Sequence, residues 1–154
     1  MTGSLDGAQD SELELEFPPK PEFVRMARLT VAALARMRDA DDDLVEDIKL
    51  AVSEACTRAV SANAADAPQE PVKVQATVRD HALHVEVLDR GPGPERSVSG
   101  PPEELDTEDL PFESALAVPL IRGLVDEVGL APREGGGTRV RMIVSLASEG
   151  QPPS

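Results

Sequence analysis

The sequence predicts an α+β fold, a two-layer sandwich with helices packed on one face of a mixed β-sheet. Three observations predict it. The first half carries two long stretches with helical spacing of apolar residues. Two neighbouring stretches then alternate strictly between apolar and polar around a two-residue turn. After a long loop, one more helical stretch is followed by two further strands. The order is β-α-α-β-β-loop-α-β-β, and 154 residues suffice for one domain with a modest core. We place that domain at residues 12–147, between polar tails at 1–11 and 148–154.

Each element has its own signal. "LELEF" (13–17) sets Leu13, Leu15 and Phe17 against Glu14 and Glu16, a half-buried strand that "PPKP" ends. From Glu22 to Arg38, Phe23, Met26, Ala27, Leu29, Thr30, Ala33, Leu34 and Met37 recur at helical spacing. "DADDD" (39–43) supplies an N-cap and favourable negative charge for a second helix. Its apolar stripe is Leu44, Val45, Ile48, Val52, Ala55, Cys56, Ala59 and Val60, fading at Ala62–Ala65 ahead of Pro68 and Pro71.

"VKVQATVRD" (72–80) and "HALHVEVLD" (81–89) both alternate, and Asp80-His81 between them marks a hairpin. Residues 90–113 are rich in proline and glycine without a period, the composition of a functional or unstructured loop. "SALAVPLIRGLVDEV" (114–128) reads as a helix with Pro119 in its first turn, where a missing N–H is harmless. A short strand near "VGLAP", a turn at "EGGG" (134–137) and a strand at "TRVRMIVSL" close the domain, with Val140, Met142, Val144 and Leu146 facing inward.

Composition narrows the function. A formal charge of −14 repels phosphate backbones and anionic lipid, which argues against nucleic-acid and membrane surfaces and suits basic protein partners. Cys56 is the single cysteine and has no internal disulfide partner; its place on an apolar stripe predicts a buried thiol. Two scattered histidines and one cysteine do not make a metal site. No apolar run reaches the roughly 18 residues of a membrane span and no leader signal opens the chain, so a cytoplasmic location is expected.

Four motifs carry the chemistry. "AVSEACTRAV" (51–60) places Glu54 and Arg58 one turn apart on one helix face. An exposed pair at that spacing is worth only about 0.3–0.5 kcal/mol, too little to explain it. Asp89, Gly91 and Gly93 form an Asp-x-Gly-x-Gly turn directly after a strand. Ser114-Ala115-Leu116-Ala117 opens the last expected helix, and Gly137-Thr138 opens the last strand.

In this order and spacing, the four motifs resemble those of the bacterial anti-sigma-factor serine/threonine kinases. These belong to the GHKL superfamily, whose histidine-kinase-like ATPase domain is also called the Bergerat fold. The similarity covers roughly residues 12–146. It implies that Asp89 accepts a hydrogen bond from an adenine amino group while Gly91 and Gly93 let the backbone turn beneath the base. It further implies that Glu54 is the catalytic base and that Gly137 and Thr138 lie near the nucleotide. A loop with turn glycines accounts for the same residues without a ligand.

The departures bear on activity. Where the family's helix carries an asparagine that holds Mg²⁺, this chain has Arg58, a permanent cation with five donors and no lone pair. Where the family has Gly-x-Gly against the phosphates, Ala115 and Ala117 add two methyls. Arg58 can pair with Glu54, or contact nucleotide phosphates in the metal's place. ATP or ADP is therefore the candidate cofactor, with its Mg dependence in doubt.

Family membership implies partners as well. An arginine on the first helix contacts both a sigma factor and an anti-anti-sigma protein of the STAS type, and Arg28 aligns there, with Arg25 one turn before it. Homodimers are also implied. The favoured reading is an anti-sigma factor in a partner switch with its kinase activity lost or weakened. The alternatives are an active serine kinase that phosphorylates the anti-anti-sigma protein, and an adaptor that binds only that protein.

Overall fold

The structure, a computed structural model, describes residues 11–110 and 112–146. The expected tails lie outside the described residues except for Ser11, which opens the first strand. Strand β1 (Ser11–Phe17) leads through a 3₁₀ turn at Pro21–Phe23 into helix α1 (Val24–Met37). Helix α2 (Asp42–Asp66) follows, then the hairpin of β2 (Val72–Arg79) and β3 (Ala82–Asp89). A short β4 (Val98–Gly100), two 3₁₀ turns at Pro102–Glu104 and Thr107–Asp109, helix α3 (Phe112–Ile121), β5 (Glu127–Pro132) and β6 (Thr138–Ser145) complete the chain.

The six strands lie in the order β1-β2-β3-β6-β5-β4. Every pairing is antiparallel, so the expectation of a mixed sheet is corrected. The connection between β1 and β2 gives the reason. It contains two helices, and two helical passes return the chain in the sense opposite to β1. The hairpin closes at Asp80 and His81, both at positive φ, the backbone that a two-residue turn requires.

The core lies between the sheet's inner face and the helices. Val72, Val74, Ala76, Val78, Leu83, Val85, Val87, Val140, Met142 and Val144 alternate inward and are buried, as the period-2 pattern predicts. Helix α2 starts on its cap, where the Asp41 carboxylate accepts from the Leu44 N–H at 2.8 Å. It runs the full length to Asp66, burying Val45, Ile48, Val52, Ala55, Cys56, Ala59 and Val60 as expected.

Helix α1 departs from its expected face. Its buried residues are Val24, Ala27, Val31, Ala32, Leu34 and Ala35, while Met26, Leu29 and Met37 are 41%, 42% and 73% exposed. The helix carries apolar residues around more than one face, so spacing alone left the choice open. The side rich in alanine and valine packs inward, where α1 rests against α2, because small residues allow close helix approach.

The loop at 90–113 is more ordered than its composition suggests, since β4 and both 3₁₀ turns form within it. Helix α3 begins at Phe112, before the expected Ser114, and ends at Ile121 instead of continuing to 128. Pro119 therefore lies in the last turn, not the first. There its missing N–H removes one late ladder bond, and the helix stops two residues later through 3₁₀-type turns from Arg122 N to Pro119 O and from Leu124 N to Ile121 O.

Candidate functional site

The sheet and α2 converge on the turn that follows β3. Asp89 ends that strand, fully buried. Its Oδ1 accepts from the Gly91 N–H at 2.8 Å, a turn that a carboxylate makes with the backbone two residues on. Its Oδ2 forms an ion pair with Nη2 of Arg58, whose side chain is 3% exposed. The two expected site residues Arg58 and Asp89 are thus brought together directly. At the sequence level Arg58 was weighed against Glu54 or a phosphate, and the structure aims its guanidinium at Asp89. Glu54 lies one turn earlier on α2, half-buried.

The glycines hold this turn against its neighbours. A side chain on Gly91 would meet the Ala62 side chain at 2.5 Å and the Ala62 carbonyl oxygen at 2.9 Å, so the turn can rest on α2 only without one. Gly93 faces the Gly137 carbonyl and the Thr138 hydroxyl in the same way. Gly137 has φ +116, and a side chain there would collide with the Asp89 carbonyl oxygen. Thr138, fully buried, donates its hydroxyl to the Pro92 carbonyl at 3.0 Å. Asp89, Gly91, Gly93, Gly137 and Thr138 accordingly form one interlocked unit.

Three further residues belong to this unit that motif reading did not find. Asn63, fully buried on α2, accepts from the Arg90 N–H at 2.6 Å and donates to the carbonyls of Glu70 and Pro71 at 2.9 and 3.3 Å. The Arg90 guanidinium donates to the carbonyls of Glu134 and Gly136 at 2.9 and 2.7 Å. Arg133 donates to the Asp89 carbonyl at 3.0 Å, and partial burial, with Arg90 and Arg139 nearby, presses its pKa downward. Only Asn63 left a trace in the sequence, as a lone amide among alanines in "SANAAD".

Ala115 and Ala117 are half-buried within α3, and Ala115 packs against the core. Ala117 lies beyond the first helical turn, so its N–H is committed to the helix and does not point freely at a ligand. Two features of the unit bear on magnesium and on a base. Both oxygens of Asp89 are engaged within the protein, and Arg58, where the resemblance leads one to expect a metal ligand, is a buried cation. The residues therefore do not fit a magnesium nucleotide.

Away from this unit, Arg25 and Arg28 line an open cleft of about 430 Å³ with Glu22 on the approach to α1 and with Ser53, Thr57 and Ser61 on α2. Cys56 is buried as expected, and burial pushes its thiol up to about 12. Among the described residues no cluster of His, Cys, Asp and Glu could hold a metal, and no helix is long and apolar enough to cross a membrane.

Residues 17–144 match the histidine kinase-like ATPase domain. A serine-protein kinase RsbW of Bacillus velezensis is 34% identical over 141 residues, covering 89% of this chain and 87% of the relative. An anti-sigma F factor of Clostridium acetobutylicum is 31% identical over 139 residues, covering 90% of this chain and 96% of the relative. Among solved structures, the RsbU and RsbW domains of Rv1364c from Mycobacterium tuberculosis superpose with a TM-score of 0.66 at 19% identity. That match covers 90% of this chain and 33% of the longer one, and it supports the fold. The chain therefore belongs to the histidine kinase-like ATPase family, in the branch of the RsbW serine-protein kinases and the anti-sigma F factors.

Proposed function

We propose that this protein is an anti-sigma factor that works by binding alone: it sequesters a sigma factor, releases it to an anti-anti-sigma protein of the STAS type, and transfers no phosphate. The observation that carries this reading is the buried Arg58–Asp89 pair. A kinase of this family needs a metal ligand on α2 and a free carboxylate at Asp89, and one guanidinium removes both. Glu54, in the position of the catalytic base, then has no activated phosphate to work with.

The face of α1 supports the binding half of the proposal. Met26, Leu29 and Met37 are exposed apolar side chains on a helix whose other side is already packed. Arg25 and Arg28 flank the adjoining cleft. An apolar stripe rimmed by arginines offers both the buried anchor and the charged rim that protein interfaces use.

The test mixes the purified chain with candidate sigma and anti-anti-sigma proteins from the same cell, with and without Mg-ATP. Sigma capture should be equal in both conditions, and no phosphoserine should form on the anti-anti-sigma protein. Arg28→Ala should weaken capture at least about tenfold at an unchanged melting temperature, the loss of one interface anchor. Phosphoserine that depends on Mg-ATP would overturn the binding-only reading, and unchanged capture by Arg28→Ala would remove that residue from the interface.

A further inference from the structure

Helix α2 meets the turn at 89–93 in three successive places. Arg58 reaches the Asp89 carboxylate, Ala62 lies under Gly91, and Asn63 holds the Arg90 N–H. The last two contacts fix the path of the backbone. The first does not, because Oδ1 of Asp89 already makes the turn through Gly91. A buried ion pair is also a poor way to gain stability, since desolvating both charges offsets most of their attraction. Arg58 thus calls for a reason other than holding the fold.

We infer that Arg58 is a built-in plug: its guanidinium takes the carboxylate oxygen that the amino group of an incoming base would need, and so closes an otherwise intact base site. The turn is formed, Thr138 holds the Pro92 carbonyl, and Arg133 and Arg90 tie the turn to the 134–137 segment. A guanidinium N–H and the exocyclic amino group of adenine are both in-plane donors, so either can take the one carboxylate oxygen. The inference rests on the reading that the native chain makes no productive use of nucleotide, and assigns that property to one side chain. Once the plug is withdrawn, the site should take a 6-aminopurine nucleoside, with little dependence on the number of phosphates.

Arg58→Ala tests this in the full-length protein, with melting temperature and calorimetry as readouts. Adenosine, ADP and purine riboside are titrated into native and variant protein, and methylguanidine is the control for an opened cavity. Adenosine and ADP should bind the variant at least about tenfold more tightly than the native chain, the value of one hydrogen bond to a charged acceptor, and purine riboside, which lacks the amino group, should not. If the variant does not fold alone, millimolar adenosine should restore its cooperative melt, because a ligand that binds only the folded state stabilises it. Rescue by methylguanidine but not by adenosine would show a purely structural ion pair and overturn the proposal. So would equal binding of purine riboside, or no response to any of the four compounds. Failure here leaves the binding-only reading standing, since that is judged on phosphoserine formation by the native chain.

Discussion

At the scale of single residues, the Arg58–Asp89 pair and Cys56 make quantitative demands. Arg58→Met should cost about 3–5 kcal/mol, because it leaves the Asp89 charge buried and unpaired. The double variant Arg58→Met with Asp89→Asn should recover most of that loss, since the asparagine oxygen still accepts from Gly91 and no lone charge remains. Urea unfolding midpoints of the two singles and the double give the coupling directly; additive losses would mean that the pair does not interact as drawn. Cys56 tests burial through pH. Its folded-state pKa is raised from 9.0 to about 12 by desolvation, so the folded protein keeps a proton that the unfolded chain releases. That contribution is fully present below pH 9 and is lost as pH rises towards 12, at about 1.4 kcal/mol per pH unit. Native protein should therefore lose stability in that window more steeply than Cys56→Ala, and parallel curves would contradict the assignment.

At the scale of elements, the sequence was most legible where one period dominated. The β2–β3 hairpin and β6 follow from strict alternation, and their inward residues are those the structure buries. Helix α2 was legible for a different reason: an acidic run supplied its start and an unbroken apolar stripe its length. Asp41→Ala should lower stability by about 1 kcal/mol by freeing the Leu44 N–H, a change thermal unfolding can read, whereas Asp43→Ala should do less. Helix α1 was half legible, since periodicity found the helix but not which apolar side faces the core. Helix α3 was misjudged at both ends because Pro119 fits a first turn by propensity, while the loop before it formed more structure than its prolines suggested. The site divided in the same way. Asp89, Gly91, Gly93, Gly137 and Thr138 could be found as motifs, but the contacts of Asn63, Arg90 and Arg133 that join α2, the turn and the 134–137 segment run to backbone groups 27 to 46 residues away in the chain. Contacts of that kind leave no local pattern. The partner of Arg58 was hidden likewise, since Asp89 is distant in sequence and Glu54 is near.

At the scale of the whole molecule, the two candidate regions lie on different sides of α2. One meets the turn after β3; the other is the cleft between α1 and α2. Under the proposed reading, binding through the second requires no chemistry at the first, so the two regions can change independently. The sheet order adds a consequence for how the chain assembles. Among the described residues, strand β1 is an edge strand that pairs only with β2, and its partners are about sixty residues away, as in Leu15 with Val74. The β2–β3 hairpin closes over two residues and has β6 on its far side. Loop closure therefore makes β1 a late arrival in folding and an early departure in unfolding. Native-state hydrogen exchange should show the amides of β1 opening at a small fraction of the global free energy while those of β3 exchange only with complete unfolding. The acidic strand at the sheet's edge would then be a gate that opens without melting the rest.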